Sequence, residues 1–378
     1  MGIRYLSKFS GIGGFELGIQ RAYRAAQAKR QIQGTADSDM SGHDEKLMAS
    51  EPLCVGFSEI DKYAKSIYQK HFKEHRDYGC ARSINEKELP DFDMLVGGFP
   101  CQAFSVAGRR GGFSDTRGTL FFEIARIARE KQPRILLLEN VKGLLSHNKG
   151  YTFATILNAL DEIGYDAEWQ VLNSTDFGIP HNRERTYIVG HLRGTGTRQV
   201  FPLRRADAAV IGEHKEATRL IPATVDKVDK QGSVYLHKFN KVNANCLCAR
   251  DAKGLCRSYN VILESPDIIK TATAGNSRPQ RVNTIDRSSV TIAATIGGGG
   301  AGTGLYAIPA LDKDAYDGCR IRRLTPTECE RLQGFPDGWT AEGVTGAISD
   351  TQRYKCLGNA VTTNVVEAVA SELLECLA

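Results

Sequence analysis

Residues 94–102 read Met94-Leu95-Val96-Gly97-Gly98-Phe99-Pro100-Cys101-Gln102 and bring a cysteine to the end of an apolar, strand-like run. A strand that ends in two glycines and meets a proline must leave its sheet at once, because proline cannot continue the hydrogen-bonded ladder. This turn carries Cys101 to the crevice where open α/β sheets bind their ligands. A cysteine there is a candidate nucleophile, whereas a structural cysteine more often packs inside an element. On this stretch alone both interpretations stay open.

Three other strand-like runs end in residues suited to ligand binding. The first leads into Phe9-Ser10-Gly11-Ile12-Gly13-Gly14, a glycine turn that opens a helix and lets backbone N–H groups approach a nucleotide-like cofactor. The run at 55–58 ends in Glu59, a carboxylate suited to ribose hydroxyls. The continuous apolar run at 135–138, typical of a strand covered on both faces, ends in Glu139. We therefore predict that one sheet edge gathers a glycine turn, a cysteine and a glutamate.

Six segments together resemble a known family. They are Phe9-Ser10-Gly11-Ile12-Gly13-Gly14, Gly98-Phe99-Pro100-Cys101-Gln102, Glu139-Asn140-Val141, Arg183-Glu184-Arg185, Arg323-Leu324-Thr325-Pro326 through Gln333-Gly334-Phe335-Pro336, and Gly358-Asn359-Ala360-Val361. In this order they resemble the cofactor loop, nucleophile loop, catalytic acid, Arg-x-Arg pair and last two blocks of the DNA (cytosine-5) methyltransferases of the bacterial and phage type. Six segments in order leave little room for coincidence. The resemblance does not extend well to residues 195–320, with which such enzymes read their target sequence.

The pattern of elements and the resemblance together predict the fold. Alternating strand and helix patterns up to residue 192 predict an α/β fold. The resemblance implies that this is a Rossmann-like S-adenosylmethionine-dependent methyltransferase sheet with helices on both faces. The broken pattern from 193 to 320 predicts a smaller, irregular, mostly β domain, which by the resemblance would be the target-recognition domain. We expect a large domain of residues 1–192, completed by the C-terminal helix at 352–378, and a small domain with a hinge at 193–351. Residues 28–50 are interpreted as a polar surface insertion with no assigned role.

The resemblance implies a bacterial or phage enzyme that acts as a monomer in the cytoplasm, at the nucleoid, and the composition is compatible with this expectation. The 378 residues can bury a full core, and the chain has no apolar run of 18 residues, so no membrane partner is expected. Its mean hydropathy is −0.31. Ten cysteines spread along a long α/β pattern favour reduced thiols over disulfides. A thiolate nucleophile needs such reducing surroundings.

The resemblance implies methyl transfer from S-adenosylmethionine to carbon 5 of a cytosine within a specific duplex DNA sequence. Cys101 would add to carbon 6, and Glu139 would hydrogen-bond or protonate N3 of the ring. Arg185 would contact the cytosine O2 and the nucleophile region, while Arg183 would brace Glu139. Because these ring atoms cannot be reached inside a stacked duplex, the target base must be flipped out.

The implied cofactor is S-adenosylmethionine, with S-adenosylhomocysteine as its product. The residues expected to bind it are Phe9, Gly11, Ile12, Gly13, Gly14, Glu59, Ile60, Cys80, Gly98, Pro100, Leu120, Asn359 and Val361. Where the family commonly has Gly-Asp-Ile, this chain has Gly79-Cys80-Ala81, and a thiol is a poor acceptor for the adenine amino group. Either backbone and a neighbour recognise adenine here, or the cofactor binds more weakly, or the alignment slips at this point.

The implied macromolecular partner is double-stranded DNA. In the loop after the nucleophile, Gln102, Ser105, Arg109 and Arg110 are candidates for DNA contacts and for entering the vacated space. Residues 193–320 hold 19 Lys+Arg against 12 Asp+Glu, a balance suited to phosphates. Base readout is assigned to Arg250, Arg257, Arg278, Gln280 and Arg281. A cognate restriction endonuclease outside this chain is a further partner to consider.

Other classes compete with this interpretation. An RNA (cytosine-5) methyltransferase of the transfer-RNA kind shares much of the core, but the long basic segment favours duplex DNA. A catalytically dead relative would lack Cys101 or Glu139, and a dehydrogenase offers no use for Pro100-Cys101. His237, Cys246, Cys248 and Cys256 cluster at a spacing too irregular for structural zinc, so no metal is expected.

Overall fold

The structure is a computed structural model that describes residues 2–34, 50–100, 120–203 and 324–377, and the backbone of seven short strands between 223 and 323. The chain divides into two compact units. Unit 1 comprises Met1–Asn173, Glu184–Arg205 and Val361–Ala378, and unit 2 comprises Ser174–Arg183 and Ala206–Ala360. Residues 193–205 thus group with the first unit and residues 352–360 with the second. No helix among the described residues is long and apolar enough to cross a membrane.

The helices and strands alternate through unit 1, as the sequence predicts. In chain order the elements are β1 Arg4–Lys8, α1 Gly14–Gly34, β2 Leu53–Ser58, α2 Lys62–His71, β3 Met94–Gly98, α3 Leu120–Lys131, β4 Ile135–Val141, α4 Tyr151–Glu162, β5 Tyr165–Asn173, β6 His181–Asn182, β7 Glu184–Leu192, β8 Ala223–Val228, β9 Val234–Lys238, β10 Val261–Ile262, β11 Val282–Asn283, β12 Ser289–Val290, β13 Leu305–Pro309, β14 Cys319–Arg323, α5 Pro326–Arg331, β15 Glu342–Gly343, β16 Gly346–Ala347, α6 Asp350–Asn359 and α7 Thr363–Leu377.

Unit 1 is built on a six-stranded sheet of order β2-β1-β3-β4-β7-β5. The first four strands are parallel, and β7 runs antiparallel to both β4 and β5. Adjacent parallel strands end at one edge of a sheet, so Lys8, Ser58, Gly98 and Val141 all terminate there. The predicted Rossmann-like α/β sheet is confirmed, and its carboxyl edge positions the site.

Local sequence explains why these elements form where they do. The side chains of Ile135–Leu138 are fully buried, as expected for a strand covered on both faces. Asp61 begins α2 by accepting the backbone N–H groups of Tyr63 and Ala64. Gly18 lets α1 lie against α7, since a Cβ there would come within 2.6 Å of the Val366 side chain. The last helix therefore packs on the first helix of the same unit.

Unit 2 contains a second six-stranded sheet, of order β14-β13-β11-β10-β8-β9, and two short strand pairs, β12 with β6 and β15 with β16. These strands agree with the predicted mostly β character of this part of the chain. Nearer the C-terminus, the buried carboxylate of Glu330 accepts the backbone N–H groups of Gly338 and Thr340 and pairs with Arg353 at 3.2 Å. These bonds hold the turn after α5 against α6.

Candidate active site and cofactor pocket

Glu139 and Arg185 form the central ion pair at the carboxyl edge of the sheet. Glu139 lies opposite Tyr187 in the antiparallel register of β4 and β7, so Arg185, two residues away, projects from the same face. The Nε of Arg185 lies 3.1 Å from Oε1 of Glu139, with both side chains only 11–12% exposed. A guanidinium at this distance forms an ion pair that holds the carboxylate in place.

Gly98 lies directly beside that carboxylate. It is the register partner of Glu139 between β3 and β4. A Cβ on Gly98 would lie 3.0 Å from Oε2 of Glu139, 3.9 Å from the Phe15 ring and 4.0 Å from Cγ1 of Val361. Because Gly98 has no side chain, Glu139, Phe15 and Val361 can all approach the backbone at this position. The position lies three residues before Cys101.

Asn140, which the sequence analysis did not single out as a site residue, holds the end of β3 in place. Its Nδ2 donates to the carbonyl of Phe99 at 2.9 Å, and its Oδ1 accepts the backbone N–H of Val141 at 2.8 Å. The side chain is almost fully buried, so both bonds are shielded from water. The only signal in the sequence is its position directly after Glu139.

The glycine turn between β1 and α1 has the strained backbone that close approach to a ligand requires. Phe9, Gly11 and Gly13 have φ values of 54°, 56° and 89°. A positive φ is uncommon for a residue other than glycine, and such strain clusters at functional sites. At Gly13 a Cβ would lie 2.3 Å from the Phe72 ring, so only glycine fits.

Glu59 connects the glycine turn to the end of β2. Its Oε2 accepts the backbone N–H of Gly11 at 2.9 Å, and its Oε1 accepts those of Ile60 and Asp61 at 2.8 Å. A carboxylate has about four lone-pair positions, so three bonds leave room for one further donor. Next to it, the apolar side chain of Ile60 is 73% exposed and offers a surface for a flat ring.

The segment Gly79–Ala81, called the wall below, lies beside the ends of β1 and β2 at the same edge of the sheet. It follows Asp77, which bridges to Phe57 of β2 in parallel orientation. Ser58 Oγ donates to the Gly79 carbonyl at 3.0 Å, and Lys8 Nζ donates to the Ala81 carbonyl at 3.3 Å. Cys80 is an exposed free thiol. Polar bonds thus tie Ser58 and Lys8 to this wall.

Two buried ionisable groups, Lys8 and Glu16, flank the glycine turn. Burial, with Arg126 nearby, lowers the pKa of Lys8 to about 7. Burial also raises the pKa of Glu16 to about 7. Glu16 Oε1 accepts the hydroxyl of Tyr68 at 2.9 Å. Neither residue is assigned a role by the motifs.

Arg183 is buried in unit 2. Its Nη2 donates to the carbonyls of Gly358 and Ala360, at 3.1 and 2.7 Å, and so holds the backbone on both sides of the exposed Asn359. It lies just before β7, which begins at Glu184 rather than at Arg183. Arg185 lies against Glu139, and the bracing role implied for Arg183 stays a prediction.

The remaining predicted residues divide into two groups. Pro100 is exposed and Leu120, the first residue of α3, is partly exposed. The described residues do not include Cys101, Gln102, Ser105, Arg109, Arg110, Arg250, Arg257, Arg278, Gln280, Arg281, Cys246, Cys248 and Cys256, nor the side chain of His237. Among the described residues, no group of three or more His, Cys, Asp or Glu side chains could hold a metal ion.

Comparison with known proteins gives the family. The profile of the C-5 cytosine-specific DNA methylases matches residues 3–375. The chain is 37% identical to the Type II methyltransferase M1.ScrFI of Lactococcus lactis subsp. cremoris, over 85% of this chain and 72% of that protein. It is 30% identical to the Type II methyltransferase M.HhaI of Haemophilus parahaemolyticus, over 98% of this chain and 93% of that protein.

Solved structures agree on the fold. The Dnmt2 methyltransferase of S. pombe superposes with a TM-score of 0.59 at 18% identity, covering 99% of both chains. An identity this low supports the fold alone, whereas the sequence relatives and the profile extend over most of the chain. The protein therefore belongs to the C-5 cytosine-specific DNA methylase family and is a DNA cytosine methyltransferase.

Proposed function

We propose that this enzyme transfers the methyl group of S-adenosylmethionine to carbon 5 of a cytosine in a specific duplex DNA sequence, by base flipping and covalent addition of Cys101 to carbon 6. The observation that carries the proposal is the Glu139–Arg185 pair, which lies beside Gly98 at the sheet edge from which the chain continues to Cys101. The acid and the strand that leads to the nucleophile meet at the edge that also holds the glycine turn.

The pocket fits S-adenosylmethionine, which supplies an electrophilic methyl group when bound. The close backbone at Gly13, the remaining lone pair of Glu59 and the exposed Ile60 suit an adenosine. Glu59 would accept a ribose hydroxyl, and Ile60 would pack on the purine. Val361, buried near Gly98, would line the end of the pocket towards the reacting atoms.

The chain's own residues would divide the remaining work. The Cys101 thiolate would add to carbon 6 of the flipped cytosine and so make carbon 5 nucleophilic. Glu139, held by Arg185, would keep a proton at N3 and draw charge out of the ring. Arg185 has further guanidinium donors for the cytosine O2. Once carbon 5 carries the methyl group, with S-adenosylhomocysteine as the leaving group, loss of the proton from carbon 5 and elimination of the Cys101 thiolate would restore the aromatic ring.

The surroundings of the enzyme are also proposed. The Type II designation of its relatives supports a role in a restriction–modification system. We propose a monomer that acts on cytoplasmic, nucleoid-associated DNA of a bacterium or phage, with a cognate endonuclease as a separate chain.

Bisulfite sequencing of DNA from cells that express the protein tests this function. We expect 5-methylcytosine at one short sequence, and none in cells that express the Cys101→Ala protein. A parallel assay on duplex DNA and transfer RNA separates the two nucleic acids. Methylation of RNA alone, or of DNA at carbon-5 positions without sequence preference, would contradict the proposal.

A further inference from the structure

Lys8 is a fully buried lysine that the proposed chemistry does not use. It is the last residue of β1 and directly precedes Phe9 at the start of the glycine turn. Burying an ammonium is costly unless polar partners compensate. Burial lowers the pKa of Lys8 to about 7, and the carboxylate of Glu123 opposes this shift. An apolar residue would fill the same position without that cost, so the amino group of Lys8 must have a role other than packing.

The hydrogen bond of Lys8 indicates what that role is. Its Nζ donates at 3.3 Å to the carbonyl of Ala81, 73 residues away in the chain. Arg126 Nη2 donates to the same carbonyl at 3.5 Å, and Arg126 is itself held by Glu123 and Glu86. One backbone oxygen of the wall thus accepts from side-chain nitrogens of two elements, β1 and α3.

The neighbouring carbonyls of the wall are bound as well. Gly79 accepts from Ser58 Oγ at 3.0 Å, and Cys80 accepts from the N–H of Ser83 at 3.1 Å and from its hydroxyl at 3.0 Å. A peptide unit is planar, so fixing a carbonyl also fixes the N–H group of the next residue. All three peptide planes of the Gly79–Ala81 wall are therefore oriented.

This orientation matters because of the residue at position 80. A thiol is a weak hydrogen-bond acceptor, so Cys80 cannot select an adenine amino group as a carboxylate would. If this wall faces the purine, its backbone has to select the base. Backbone groups can discriminate only when they are held in one orientation.

We propose that Lys8 is a positioning residue for the cofactor, which fixes the Ala81 peptide so that the backbone of Gly79–Ala81 recognises the purine in place of a side-chain carboxylate. This inference rests on the proposed binding of S-adenosylmethionine at the same edge. It assigns the base specificity of the pocket to a residue outside the wall itself.

The test compares two nucleosides that differ only at the purine. S-inosylhomocysteine carries a carbonyl and a ring N–H where S-adenosylhomocysteine carries an amino group and a ring acceptor. Calorimetry would measure both dissociation constants for the wild type and for Lys8→Met, whose unbranched side chain is one atom shorter and has no donor. Lys131→Met is the matched control, because Lys131 pairs with Asp91 at the opposite, amino-terminal edge of the sheet.

We expect Lys8→Met to bind S-adenosylhomocysteine about tenfold more weakly, as for one lost hydrogen bond, and to lose most of its preference for adenine over hypoxanthine. Amides 80–83 should exchange hydrogen faster, while those of β4 keep their protection. Lys131→Met should match the wild type. Lys8→Leu is measured alongside, so that the result does not depend on the folding of one variant.

The experiment separates failure of the role of Lys8 from failure of the proposed function. A folded Lys8 variant that keeps both the affinity and the purine preference of the wild type would overturn the role of Lys8. A wild-type protein that binds neither S-adenosylhomocysteine nor S-adenosylmethionine would instead overturn the proposed function, and this inference with it.

Discussion

The backbone N–H of Gly11 donates to Oε2 of Glu59 at 2.9 Å, across 48 residues of chain. The same carboxylate accepts two N–H groups at the end of β2 through its other oxygen. Glu59 therefore shapes the glycine turn before any ligand is bound, in addition to offering an acceptor for a ribose hydroxyl. Because Glu59 has both roles, its contribution can be tested with an isosteric substitution.

Glu59→Gln should weaken binding of S-adenosylhomocysteine by about 1.5–3 kcal/mol, because an amide has one acceptor oxygen and cannot accept on both sides. Titration calorimetry measures the change. Glu51→Gln is the control, since Glu51 forms an exposed ion pair with Arg24. Unchanged affinity in Glu59→Gln would show that neither the turn nor the ribose depends on this carboxylate.

Cys101→Ala and Cys101→Ser should abolish methyl transfer and leave binding of DNA and S-adenosylhomocysteine largely intact, because no alkoxide is available at neutral pH to replace the thiolate. The wild type should form a denaturant-resistant adduct with DNA that contains 5-fluorocytosine, since fluorine cannot leave as a proton does. Gel mobility after denaturation detects the adduct. Normal methylation by Cys101→Ala would rule out the covalent mechanism.

Glu139→Gln should lower the single-turnover rate of methylation by 10²–10⁴-fold, the usual contribution of a positioned acid or base. Arg185→Ala should lower it too, and the double variant should lose less than the two losses combined, because the residues act as one pair. Lys142→Ala is the matched control, as Lys142 forms an exposed ion pair with Glu184 nearby at 2.9 Å. Fully additive losses would mean that Arg185 acts independently of Glu139.

Glu16 should make the stability of the protein depend on pH. Burial raises its pKa from 4.5 to about 7, so the folded chain holds a proton that the unfolded chain has released. The free energy of unfolding therefore falls as pH rises from about 4.5 to 7, by up to about 3 kcal/mol. His75, hydrogen-bonded to the same Tyr68 hydroxyl, has its pKa lowered to about 4 and acts with the opposite sign below pH 6.5.

The difference between wild type and Glu16→Gln isolates the carboxyl. Urea unfolding at pH 5 and pH 8 should show that the variant gains stability relative to the wild type at the higher pH. A difference that does not change with pH would mean that Glu16 is already ionised in the folded protein.

Exchange of residues 195–320 for the corresponding segment of a relative with another target should transfer the target sequence, while Cys101 and Glu139 continue to do the chemistry. The reason is that base readout needs side chains in the major groove, and the basic segment offers them. Sequencing of the methylated sites is the measurement. An active chimera that kept its original site would place recognition in the loop after Cys101 or elsewhere in the large domain.

Local sequence determined the α/β fold of this protein. The apolar runs before Phe9, Glu59, Phe99 and Glu139 are strands whose ends meet at one edge, because all four are parallel neighbours. A strand, a glycine turn and a helix signal each arise within about ten residues, so pattern is sufficient to predict them. The boundaries between the two units are harder to predict from the sequence, because contacts between distant segments decide which unit residues 193–205 join.

Only the tertiary structure decided which side chains meet. Arg183 and Arg185 are only two residues apart in the sequence. The register of β4 and β7 brings Arg185 to Glu139. Packing within unit 2 brings Arg183 to the carbonyls of Gly358 and Ala360. Nothing near Lys8 in the sequence indicates its bond to Ala81, nor does a local pattern join Asn140 to Phe99. These partners depend on strand register and on the layers that cover the sheet. Both are set by burial of the whole chain rather than by the residues beside each group.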